Sequence, residues 1–134
     1  MKHLFIFIFL LPFAVINAQV KCGADKIEDI IDITANKRVA LIVNQTSVTE
    51  CGTHLVDTLI ARGVNVNTIF APEHGFRGTA DAGESVKDGV DTKSGVKIIS
   101  LYGKNKKPSA EQLADIDLII FDIQDVGARF YTYI

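Results

Sequence analysis

Glu73, His74 and Arg77 place a carboxyl group, an imidazole and a guanidinium within one short segment, APEHGFRG at residues 71–78. Glu73 suits a general acid, because burial favours the protonated form of a carboxyl group and a glycosidic oxygen needs a proton donor as its bond breaks. The alternative is an ion pair between Glu73 and Arg77 that only fixes the loop. We take Glu73 and His74 as candidate catalytic residues and Arg77 as a candidate substrate ligand.

Two further acids, Asp81 and Glu84, follow in the same glycine-rich stretch. Together with Glu73 and His74 they contain the atom types that hold a divalent metal. Their spacing matches no metal motif, and acids in such loops more often form turns. We therefore predict no metal site and no other cofactor, with a metal-dependent hydrolase as an alternative.

Four predicted strands position these groups. Apolar runs indicate buried strands at 39–43 and 118–121. Two further strands are predicted at 64–70, where apolar and polar residues at first alternate, and at 96–101. Helical spacing predicts helices at 54–62 and 110–116 and another beginning at Asp125. This alternation predicts an α/β fold in which a parallel sheet carries helices on both faces.

Ligands of open parallel sheets bind beyond the carboxyl ends of the strands. Polar residues follow each predicted strand at that edge, and sugars need many hydrogen-bonding partners. The last segment adds Arg129, whose guanidinium suits a carboxylate, and Tyr131, which suits stacking on a sugar ring. Besides Arg77, the candidate substrate ligands are Asn44, Gln45, Asp122, Gln124, Asp125, Arg129 and Tyr131.

Several classes of function are disfavoured. No glycine-rich phosphate loop accompanies the acid-ended strand at 118–122, so a nucleotide site is not expected. The net charge of −2 does not favour a nucleic-acid partner. Cys22 and Cys51 have no metal-binding spacing, and we expect unpaired thiols rather than a disulfide.

The N-terminus has a basic start, an apolar run from Leu4 to Ile16 and a small residue, Ala18, at the expected cleavage point. This pattern is typical of a secretory signal peptide, here residues 1–18, and the run is short for a membrane span. We expect an exported protein, periplasmic or secreted, with no membrane attachment after cleavage.

Four blocks in order, VALIVNQTS, IFAPEHGFRGTADAGE, ISLYGKNKKPS and IIFDIQDVGARFYTYI, resemble the exo-β-N-acetylmuramidase family NamZ over residues 39–134. The resemblance implies a Rossmann-like catalytic domain, residues 19–134, followed by a smaller C-terminal domain. It also implies release of non-reducing-end N-acetylmuramic acid from peptidoglycan-derived sugars, with Glu73 as the favoured catalytic residue. A non-catalytic module that binds muropeptide sugars remains the main alternative.

The sequence stops at Ile134 within an apolar helical pattern, so we expect the domain to be incomplete at its C-terminus. Without the C-terminal domain implied by the resemblance, the cleft that holds the active site would be open and Glu73 would be more hydrated. We therefore expect the 134-residue chain alone to be weakly active or inactive. The second catalytic group stays open between Asp122, Tyr131, a residue beyond Ile134 and the acetamido group of the substrate.

Overall fold

The computed structural model of the protein describes residues 20–78 and 87–127. The predicted signal peptide, Asp81 and Glu84, and the segment with Arg129 and Tyr131 lie outside these ranges. Within them, no helix is long and apolar enough to cross a membrane. Cys22 and Cys51 are both exposed and are not bonded to each other.

Five strands form one sheet in the spatial order β3-β4-β2-β1-β5. β1 pairs in parallel with both β2 and β5, and β2 pairs in parallel with β4. These four strands confirm the predicted α/β fold and lie within two residues of the predicted bounds. The strands are β1 (Val39–Val43), β2 (Val66–Ala71), β3 (Gly89–Val90), β4 (Lys97–Ser100) and β5 (Leu118–Asp122).

The edge strand β3 departs from the predicted all-parallel sheet, because it pairs antiparallel with β4. It lies in the stretch from residue 71 to 95 that the sequence predicts to be a loop. Two residues are too few to show an alternating pattern, and both are exposed. The residues of β3 therefore give no local signal that predicts its pairing with β4.

Helices cover both faces of the sheet, as predicted. α1 (Ile27–Thr34) and α2 (Leu55–Ala61) pack on one face, and the single-turn helix α3 (Ala110–Leu113) lies on the other. The sequence prediction missed α1, although Ile27 and Ile30 pack one turn apart against the larger core cluster. Ser109 caps α3 through a capping box, in which the side chains of Ser109 and Gln112 each accept a hydrogen bond from the other's backbone N–H group.

The two faces are unequally filled. The α1–α2 face buries the larger apolar cluster, while the α3 face buries only Ala40, Phe70 and Ile99 completely. On β5, Ile119 and Phe121 remain 39% and 47% exposed. An open apolar surface therefore lies along β5 on the α3 face of the sheet.

Candidate functional site

A cleft of about 480 Å³ opens on the α3 face of the sheet, at the carboxyl ends of the parallel strands. This volume lies within the range of small-molecule sites. Polar and apolar atoms share its surface almost equally, although only Glu73, Tyr102 and Lys106 contribute polar side chains. The lining residues are Ile42, Pro72, Glu73, Leu101, Tyr102, Gly103, Lys106, Phe121 and Ile123.

Glu73 enters this cleft directly after β2 and Pro72. Tyr102, two residues after β4, meets it there. The hydrogen bond to Glu73 and the negative charge of that carboxylate raise the pKa of Tyr102. The phenol O–H donates this hydrogen bond to the Glu73 carboxylate. Adjacent parallel strands thus deliver an acid and its hydrogen-bond donor to one point.

The chain turns sharply after Glu73. His74 has a φ of 69°, which is rare for a residue with a side chain, and Gly75 follows with a φ of 71°. The N–H of Gly75 donates to the Pro72 carbonyl at 3.1 Å, closing the turn. His74 is half-buried and is not one of the cleft-lining residues. Its predicted catalytic role stays a prediction.

Arg77 forms two forked ion pairs. Its Nε and Nη2 donate to Asp91 at 3.0 and 2.7 Å, and its Nη1 and Nη2 donate to Asp57 at 3.1 and 2.8 Å. Its guanidinium lies 4.6 Å from the centre of the Phe76 ring. Arg77 pairs with these aspartates rather than with Glu73, so the ion pair considered from the sequence is replaced by a different one.

These hydrogen bonds change the pKa values of the two aspartates that Arg77 contacts. Hydrogen bonds from Arg77 hold the pKa of Asp91 well below its ordinary value and lower the pKa of Asp57 to about 2. Asp91 is only 6% exposed. Arg77 is therefore bound on both sides within the protein, and its predicted role as a substrate ligand stays a prediction.

His54, which the sequence analysis did not single out, joins the loop after β1 to the loop after β2. Its Nε2 lies 3.0 Å from the carbonyl oxygen of Asn44 and 3.1 Å from that of Phe76. Its Nδ1 accepts from the N–H of Val56 at 3.2 Å, so Nε2 carries the proton that both carbonyls share. The same side chain thereby caps the N-terminus of α2.

Asn44 is predicted as a substrate ligand, but the structure buries it at 1% exposure. Its Oδ1 accepts from the N–H and the hydroxyl of Thr46 at 2.9 and 2.6 Å. Thr46 in turn accepts from the N–H of Gln124 at 2.9 Å, and the Ser47 hydroxyl donates to the Asp122 carbonyl. The loop after β1 is thus bonded to the end of β5.

Asp122 faces away from the cleft. Ile42 pairs with Phe121 and Val43 pairs with Asp122, and side chains alternate between the faces of a sheet. Phe121 therefore lies on the cleft side and Asp122 on the α1–α2 side. Burial raises the pKa of Asp122, and its Oδ2 has no hydrogen-bond partner within residues 20–78 and 87–127.

The remaining predicted ligands are scattered. Gln45 is exposed and packs against Gly78, where an added Cβ would lie 2.8 Å from the Gln45 Cβ. Asp125 is exposed, and its Oδ1 accepts from the N–H of Gly127 at 2.5 Å. Gln124 is also exposed. Of the predicted site residues in the described ranges, the structure brings only Glu73 into the cleft.

Tyr102 and Lys106 are cleft residues that the sequence prediction did not select. The signal for both is their position, since they follow a predicted strand at the edge where ligands bind. Within the part of the chain that the structure describes, no three His, Cys, Asp or Glu side chains are grouped to hold a metal ion.

Comparison with known proteins identifies close relatives. Residues 39–134 match the family model described as exo-β-N-acetylmuramidase NamZ, N-terminal. The chain is 48% identical over 99 residues to peptidoglycan β-N-acetylmuramidase NamZ of Bacillus subtilis (strain 168). That match covers 73% of this chain and 24% of the relative, so the chain spans about a quarter of the relative's length.

Two crystal structures of DUF1343 family proteins from Bacteroides fragilis NCTC 9343 share the fold. One is 40% identical with a TM-score of 0.68, covering 79% of this chain and 26% of its own. The other is 41% identical with a TM-score of 0.70, covering 87% of this chain and 29% of its own.

Proposed function

Because this chain belongs to the NamZ family of exo-β-N-acetylmuramidases, we propose that it forms the N-terminal part of a peptidoglycan glycosidase. The enzyme removes N-acetylmuramic acid from the non-reducing ends of peptidoglycan fragments. The observation that carries the proposal is the position of Glu73, a carboxyl group in a cleft at the ligand-binding edge of the sheet.

Glu73 acts as the general acid. The reaction breaks the bond between the anomeric carbon of the sugar and the glycosidic oxygen, and this oxygen takes a proton as it leaves. Ile42, Leu101 and Phe121 line the cleft with Glu73, and a bound substrate displaces water from between them. Tyr102 holds the carboxyl group in one orientation through its hydrogen bond.

The positions of Glu73 and Asp122 bear on the identity of the second catalytic group. Glu73 is the one carboxyl group that lines it in the described part of the chain, while Asp122 lies on the opposite face of the sheet. Glycosidases with two catalytic carboxylates place both beside the same bond. This favours the acetamido group of the substrate, or a residue outside the described ranges, as the second participant.

The substrate is peptidoglycan, so the proposed place of action is outside the cytoplasm. The signal-peptide pattern of residues 1–18 agrees with that proposal. Export would bring the enzyme to the periplasm or the medium, where fragments of the cell wall arise.

The test uses the full-length protein and a disaccharide with N-acetylmuramic acid at its non-reducing end. We expect the parent to release the free sugar and the Glu73→Gln variant to lose roughly 10²- to 10⁴-fold in kcat, because an amide cannot donate the proton. Glu111→Gln, an exposed glutamate on α3, is the matched control and should retain full activity.

Three results would contradict the proposal. Full activity in the Glu73→Gln variant would show that Glu73 is not the general acid. Binding of the disaccharide without release by the parent would indicate a sugar-binding module. Loss of activity after chelation, restored by a divalent metal, would indicate a metal-dependent hydrolase.

A further inference from the structure

Lys106 is the only cationic side chain among the described residues that line the cleft. It lies in the loop between β4 and α3, four residues after Tyr102. Lys106 is exposed and has no acidic partner within residues 20–78 and 87–127. Its ammonium group is therefore available to a ligand.

Four other cations in the described ranges form ion pairs with acids of the protein. The pairs are Arg38 with Asp115 and Asp117, Arg62 with Glu28, Arg77 with Asp57 and Asp91, and Lys93 with Asp57. Arg77, which the sequence predicts as a substrate ligand, is thus paired with acids, whereas Lys106 has no acidic partner within the described residues.

We propose that Lys106 binds the lactyl carboxylate of N-acetylmuramic acid and so selects this sugar over N-acetylglucosamine. The inference rests on the proposed function, because that function places an acidic sugar in the cleft. The two sugars differ in the lactyl ether, which adds one carboxylate. Lys106 is the described cleft residue that can distinguish them by charge.

The surroundings strengthen such a contact. Pro72, Leu101 and Ile123 form apolar walls of the same cleft, and a charge pair becomes stronger once a bound sugar displaces water from beside such groups. A cation at this position holds the substrate's carboxylate without touching the bond that breaks. Lys106 is a specificity-determining residue in this scheme, not a catalytic one.

The first measurement is binding of the monosaccharides N-acetylmuramic acid and N-acetylglucosamine to the full-length protein by titration calorimetry. We expect the parent to prefer the acidic sugar by roughly 10- to 100-fold, the range of one charge-assisted hydrogen bond. Lys106→Met should abolish this preference, and Lys106→Arg should keep most of it. Lys104→Met is the matched control, because Lys104 lies in the same loop but does not line the cleft.

The second measurement separates this inference from the proposed function. With the disaccharide substrate, Lys106→Met should raise KM roughly 10- to 100-fold and leave kcat within about threefold of the parent. An amide of the lactyl group should be cleaved equally well by parent and variant.

Equal affinity of the parent for both sugars, or no binding of either, would overturn the role of Lys106. An unchanged preference in Lys106→Met, or the same loss in Lys104→Met, would also overturn it. Release of the sugar by the parent with any of these results would leave the proposed function standing. Selective binding without release would instead contradict the proposed glycosidase activity and leave the role of Lys106 standing.

Discussion

Tyr102 differs from the other polar residues at this edge because its hydroxyl meets the carboxyl group on which the proposed chemistry depends. Glu73 itself was identifiable from the sequence, since an acid in a short, glycine-flanked segment after a predicted strand is a candidate by type and place. Its partner was not, because residues 73 and 102 come together only through the pairing of β2 with β4.

Replacing Tyr102 by Phe tests whether orientation of Glu73 matters for turnover. We expect kcat to fall by roughly 10- to 100-fold and KM to change by less than about threefold, because the lost bond acts on the catalytic group rather than on the sugar. Steady-state kinetics on the disaccharide measure both quantities. A rise in KM with unchanged kcat would show instead that the hydroxyl binds substrate.

At the scale of elements, the loop after β2 is held from two sides. Arg77 ties it to α2 through Asp57 and to the turn after β3 through Asp91. His54 ties it to the loop after β1. These contacts keep the main chain of the segment that carries Glu73 in place while leaving the Glu73 side chain free to face the cleft.

Replacing Arg77 by Met separates this structural role from substrate binding. We expect the free energy of unfolding to fall by about 2–4 kcal/mol, because two aspartates lose their shared cation and Asp91 is buried. Arg62→Met is the control, since Arg62 and Glu28 form an exposed pair worth less than about 1 kcal/mol. Urea denaturation measures both variants.

A different result for Arg77→Met would support the role in substrate binding. If Arg77→Met keeps the stability of the parent but loses affinity for the sugar, the role predicted from the sequence is right. Sequence alone could not decide, because Asp57 and Asp91 lie 20 and 14 residues from Arg77 and the pattern around them is that of ordinary surface acids.

At the scale of the whole molecule, the parallel strands followed from short segments rich in apolar residues. β1 is apolar throughout and β2 at four of six positions, and both are buried at all but one position, as expected of strands in a sheet covered on both faces. The antiparallel edge strand β3 and the side of the sheet on which Asp122 lies did not follow. Both depend on the pairing of strands rather than on residue type.

Acid pH should weaken the whole fold through carboxylates that are ion-paired in the native state. The pKa of Asp57 is lowered to about 2 by Arg77 and that of Asp117 to about 2 by Arg38, and Arg77 also lowers that of Asp91. A lowered folded-state pKa stabilises the fold above the unfolded value of about 4, and this contribution is lost as the pH falls toward 2.

We therefore expect the free energy of unfolding to vary little through these groups between pH 7 and pH 5 and to fall between about pH 4 and pH 2. Asp91→Asn should make this fall shallower, whereas Asn in place of the exposed Asp29 should not. Denaturant unfolding at a series of pH values measures the slopes. Identical slopes for the parent and Asp91→Asn would show that the network does not respond to acid in this way.

The interior strand β1 stays incompletely paired for part of the time that the protein is being synthesised. Its neighbour β2 follows soon after it, but its other neighbour, β5, is much later in the chain, as the contact between Arg38 and Asp117 across 79 residues shows. At about 5–20 residues per second, a ribosome leaves one side of β1 without its partner for roughly 4–16 s. During that interval the open backbone edge of an apolar strand is accessible to other chains, so slower translation between β1 and β5 should increase the need for chaperones.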